Sequence, residues 1–161
     1  MSLSELFTVD EQNLLRLSFE FVFNHIADVD SNIDKREVLA FDNFVAKYKK
    51  FDSVIGKEIL KDYNIGVMNQ NYSEQNLSNQ AGLRKISELL DIKVDRDTAV
   101  DFKKLLIAFG FSISNSSGSL FDHKVSHDEE DALNEVGFAL NISVRDMFMT
   151  GEIQKLFLEH K

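Results

Sequence analysis

An eight-residue pattern occurs twice in this chain, each time between the same two kinds of segment. Asp30-Ser31-Asn32-Ile33-Asp34-Lys35-Arg36-Glu37 reads Asp, two residues, an aliphatic, a helix-capping residue, two residues, Glu. Asp122-His123-Lys124-Val125-Ser126-His127-Asp128-Glu129 reads the same way, 92 positions later. A strongly apolar segment precedes each copy, Leu14 to Ala27 and Val100 to Phe111, and an amphipathic helical pattern follows each. The unit of buried helix, acidic loop and amphipathic helix is therefore a candidate duplication. A solenoid needs at least three such units, so two copies predict a pseudo-two-fold pair.

The rest of the chain agrees with helices. Its 161 residues contain no proline, where an average chain of this length carries roughly eight. Nothing then breaks a helix interior or forces a kink. No segment shows the period-2 alternation of a half-buried strand. The length predicts a single domain, 1–161, and 14 Phe within 43% hydrophobic residues supply a core.

Local signals divide the chain into about seven helices. Thr8 and Glu11 form a capping box for a helix that runs to about Ala27 and is apolar nearly all round, which marks it as buried. Asp34 caps a helix through Leu39, Phe41, Phe44, Val45 and Tyr48. Asp52 or Ser53 starts a short helix to about Asn64. Spacing predicts another over Asn79 to Leu90. Asp95 caps the second apolar helix, which is expected to end near Phe111. Ser126 and Glu129 form another capping box for a helix to about Leu140, and Ser143 caps a last one. Ser112 to Ser119 is the single low-complexity stretch and reads as a mobile loop. Counted from Ala27 to Asp30 and from Ala108 to Asp122, the second loop carries eleven extra residues. The expected architecture is an all-α bundle with pseudo-two-fold internal duplication.

Charge and composition exclude several functions. The net charge of −9 disfavours nucleic acid and anionic membranes, which need clustered Lys and Arg, and is compatible with cations or basic partners. Without cysteine there is no thiolate metal site, disulfide or redox thiol. The longest uninterrupted apolar run, around Leu105 to Phe109, is about seven residues and too short to span a membrane. Met1-Ser2-Leu3-Ser4-Glu5 lacks the basic flank and apolar stretch of a signal peptide, so a cytoplasmic location is expected.

Two readings of the repeated pattern stand side by side. In the first it is a divalent-cation site, with Asp30, Asp34 and Glu37 in one copy and Asp122 and Glu129 in the other. Hard cations take several oxygens from carboxylates, loop carbonyls and water. In the second, the Glu and the residue three before it are helix caps that satisfy orphan backbone N–H groups. Capping accounts for Asp34 with Glu37 and for Ser126 with Glu129. It does not account for the Asp four positions before each cap. Asp28, Asp30, Asn32 and Asp34 match the odd-numbered ligands of an EF-hand, but Ile33 and Leu39 at its sixth and twelfth positions, in place of Gly and Glu, disfavour it. His123 and His127 have the spacing of a zinc pair on one helix, but the cap at Ser126 leaves His123 outside that helix. His25 lies one turn before the first acidic loop and could join it. No phosphate loop, nucleophile elbow or triad is present.

At these residues the chain resembles the TerB-like (tellurite-resistance) family, whose signature in each half is Ala, a small gap, Asp-Gly-x-Ile, then Glu four residues on. Ala27, Asp30, Ile33 and Glu37 match in the first half, and Ala108, Asp122, Val125 and Glu129 in the second. Ser31 and His123 replace the family's Gly. The resemblance implies an all-helical pseudo-two-fold bundle with acidic, metal-binding sites, no established enzyme activity and an association with tellurite and stress resistance. Direct tellurium chemistry would favour soft sulfur ligands, and this chain has no Cys and four Met. The expected function is a non-enzymatic module that binds a divalent metal cation and engages a protein partner. The alternative is a metal-free interaction scaffold whose acidic loops only cap helices. A third reading is a metal-dependent hydrolase, for which no general base can be named.

Overall fold

Thr8 and Glu11 close the reciprocal bonds that their spacing predicts. The Thr8 N–H donates to Glu11 Oε1 at 2.8 Å and the Glu11 N–H donates to Thr8 Oγ1 at 3.2 Å. Together they satisfy two of the donors that a helix start leaves unpaired. A computed structural model of the chain describes residues 3–27, 35–46, 53–61, 78–116 and 127–144. Among the described residues there are seven helices and no strand: α1 Leu3–Leu6, α2 Val9–Ala27, α3 Lys35–Ala46, α4 Val54–Leu60, α5 Asn79–Lys93, α6 Arg96–Ser116 and α7 His127–Leu140. The architecture is all-α, as the sequence predicts. α1 is an addition to that prediction. The helix expected after Ser143 lies beyond the described residues except for its first position.

The two apolar helices form the centre. Leu17 through Phe23 are buried without interruption on α2, and Leu105 through Gly110 on α6. A stretch buried all round must be covered on every side, and several helices surround these two. α2 packs against α1, α5, α6 and α7, while α6 packs against α2, α3, α4, α5 and α7. Phe109 of α6 is the hub. Its ring stands edge-on to Phe19 of α2 at 5.3 Å and to Phe41 and Phe44 of α3 at 5.0 and 5.1 Å. Such contacts contribute roughly 0.5–1.5 kcal/mol each beyond burial of their area.

Polar groups mark the helix ends. Ser53 Oγ accepts from the Gly56 N–H at 3.0 Å at the start of α4, and Ser78 Oγ accepts from the Ala81 N–H at 3.2 Å at the start of α5. Asp95 takes both the backbone N–H and the hydroxyl of Thr98 at the start of α6. α7 ends in a Schellman motif. The Ile142 N–H reaches the Gly137 carbonyl at 2.9 Å and the Asn141 N–H the Phe138 carbonyl at 3.1 Å, with Asn141 in the left-handed region at φ 59°.

One boundary departs from the sequence expectation. α6 does not stop near Phe111 but continues to Ser116. Ile113 lies four residues beyond Phe109, on the same stripe of the helix, and is 1% exposed. Burying that side chain outweighs the weak helix preference of the serines around it. Ser112 to Ser116 is therefore helix, not loop, and 117–119 lie outside the described residues. The interval between α6 and α7 is ten residues, 117–126, against seven, 28–34, between α2 and α3. Most of the apparent eleven-residue insertion is taken up by helix. Among the described residues no helix is long and apolar enough to cross a membrane.

Candidate functional site

Three of the four helices that border the two acidic segments meet around a glycine. A Cβ on Gly110 of α6 would lie 2.8 Å from Leu133 Cδ1 of α7 and 3.1 Å from Val22 Cγ1 of α2, with Ile26 Cγ1 at 3.8 Å. The missing side chain lets three helices approach closely at this level. One consequence is functional placement. The last turn of α2, which leads into 28–34, lies against the middle of α7, at Leu133 and Glu135.

A polar pair sits at the rim of this contact. His25 is one residue from Ile26, and Glu135 is two residues from Leu133. His25 Nε2 and Glu135 Oε2 are 2.7 Å apart, joining α2 to α7. The side chain of His25 is 18% exposed and that of Glu135 is 52% exposed. This histidine, which sequence spacing offered to the first acidic loop, is thus engaged by a residue of the other half of the chain. Glu135 had no local signal to mark it.

The predicted ligands fall as follows. Asp30, Asp34 and Asp122 lie outside the described residues, as do Asp28, Asn32, His123 and Ser126. Glu37 and Glu129 are backbone positions of α3 and α7, and their side chains lie outside the description. Their register is nonetheless visible. α3 begins at Lys35 and α7 at His127, one residue after Asp34 and Ser126 respectively. Glu37 and Glu129 are therefore both the third residue of their helices. In α7 the run His127-Asp128-Glu129-Glu130-Asp131 fills the first five positions, where negative charge complements the helix dipole. Ala27 is the last residue of α2, whereas Ala108 lies buried well inside α6. The two alanines of the signature thus differ in their distance from the helix end. Among the described residues no three His, Asp or Glu side chains come together in a group that could hold a metal ion.

Two carboxylates elsewhere show what capping does to charge in this chain. The Thr8 backbone N–H, the larger influence, holds the Glu11 carboxyl below the usual carboxylate range, aided by Lys93 at 3.5 Å and opposed by partial desolvation. The Thr98 hydroxyl and then its backbone N–H hold Asp95 low in the same way. Lys103, 4% exposed, threads out of α6 to donate to Asp91 of α5 at 2.9 Å. Its stem is packed in the interior while its ammonium finds a half-exposed carboxylate.

No family model, curated protein or solved structure matches the chain.

Proposed function

We propose that this chain is a non-enzymatic module of the TerB-like kind that binds a divalent cation at one or both acidic segments and presents a surface to a protein partner. The observation that carries the reading is the shared register of the two helix starts, which makes Glu37 and Glu129 equivalent third residues behind Asp30 and Asp122. The packing supports it too. α3, which follows α2, packs on α6, and α7, which follows α6, packs on α2 as well as on α5 and α6. Such an exchange is what a pseudo-two-fold pair requires. Oxygen ligands alone suit a hard cation, and a net charge of −9 attracts one.

A specific observation favours a second reading, the metal-free scaffold. Thr8 and Glu11 have the spacing of Ser126 and Glu129, and both of their side chains are engaged in capping. If all such pairs act so, the acidic segments only start helices. Calorimetric titration of chelator-treated protein with Ca²⁺, Mg²⁺, Mn²⁺ and Zn²⁺ separates the two. Saturable heat with one or two sites per chain supports the cation module. Absence of heat with all four ions supports the scaffold.

A further inference from the structure

No further inference is drawn: the strongest candidate, the His25–Glu135 pair bridging the last turn of α2 and the third turn of α7, consists of two side chains already bonded to each other on a partly exposed rim, and nothing among the described residues adds a third ligand or shows what would bind there.

Discussion

His25 and Glu135 stand 110 residues apart in the chain and 2.7 Å apart in space, and the bond between them joins the end of α2 to α7. Its energetic weight follows from exposure. Glu135 is half in water, so solvent screens the charge, and ordering two side chains costs entropy. A double-mutant cycle with His25→Gln and Glu135→Gln, read by urea unfolding at neutral pH, is expected to give a coupling of about 0.2–1 kcal/mol that shrinks with added salt. A coupling above about 2 kcal/mol would mean the pair is far less screened than its exposure indicates.

Gly82 and Gly110 make a sharper test of the packing. A Cβ on Gly82 would lie 2.5 Å from two ring carbons of Phe21 and 2.9 Å from a third, and that ring is fully buried on α2. Gly82→Ala gains roughly 1 kcal/mol in helix propensity but forces a rigid ring to move, at a cost of about 1–3 kcal/mol or more. The net loss of up to about 2 kcal/mol corresponds to a fall in Tm of up to roughly 8 °C. At Gly110 the nearest atom is the tip of Leu133, which can rotate. Gly110→Ala should stay within about 1 kcal/mol of the parent, because propensity gain and crowding nearly offset. If Gly110→Ala proves the more damaging, α2, α6 and α7 are packed more rigidly around that position than α2 and α5 are around Gly82.

The last turn of α7 rests on two further devices. Ser87 of α5 donates through a buried hydroxyl to the Leu140 carbonyl at 3.0 Å, serving an acceptor that a helix end leaves open. The next residue, Asn141, bears the left-handed backbone. Ser87→Ala should cost about 1–3 kcal/mol by leaving that buried carbonyl without its donor. Asn141→Ala should cost about 1–2 kcal/mol, while Asn141→Gly should be neutral or stabilising. Chemical denaturation of the three variants checks the ranking. A harmless Asn141→Ala would show that the turn relaxes out of the left-handed region.

What the sequence makes legible here is what local chemistry decides. The Thr8–Glu11 box and the Asp95 cap are three-residue relationships, and both form as spacing predicts. The two all-round apolar stretches become the two central helices for an equally local reason. Contacts across the fold leave no such mark. Ile113 looks like one apolar residue in a serine-rich loop until Phe109, four positions earlier, is seen to be the aromatic hub of the core. Glu135 looks like any exposed helix carboxylate until α2 brings His25 to it. Phe138 shows the converse. It sits in a helical pattern like the core phenylalanines but is 77% exposed, because the buried stripe of α7 runs through Ala132, Leu133, Val136 and Leu140 on the other side. As for the candidate ligands, the sequence shows their register, and the helix starts at Lys35 and His127 carry that register into the fold.

Acid should weaken the bundle through Glu11 and Asp95. Both carboxyls titrate lower in the folded chain than when free, because the folded state offers the charged form hydrogen bonds. A group with a depressed folded value contributes stability that is fully present above its unfolded pKa, about 3.9 for Asp and 4.3 for Glu. That contribution is lost as pH falls through the folded value, when the proton binds both states alike. Glu11→Gln with Asp95→Asn keeps neutral acceptors at both caps but removes the titrating charges. The parent should therefore be the more stable protein near neutral pH, and the difference should close between about pH 5 and pH 2 in thermal melts. A difference that is constant across that range would assign the caps no charge contribution.

The cation proposal makes the most consequential prediction. The chain has no thiolate, and the proposal assigns the cation to the oxygens of the repeated carboxylates. A cation that binds the folded chain but not the unfolded one stabilises it by about 2.7 kcal/mol at a hundredfold excess over its dissociation constant. Asp30→Asn with Glu37→Gln keeps side-chain size and leaves the residue before the helix start unchanged while removing two charges. Asp122→Asn with Glu129→Gln does the same in the second half. Each double variant should remain folded by circular dichroism and lose the thermal response and calorimetric heat of one site, and the four-residue combination should lose both. Asp34→Ser, which retains a capping hydroxyl, then separates the roles of that residue: weakened cation affinity with unchanged metal-free stability makes it a ligand, and unchanged affinity makes it a cap alone. Should the parent bind a cation with the same affinity as both double variants, the carboxylates of the repeated pattern are not its ligands, and the pattern is better explained by the helices it starts.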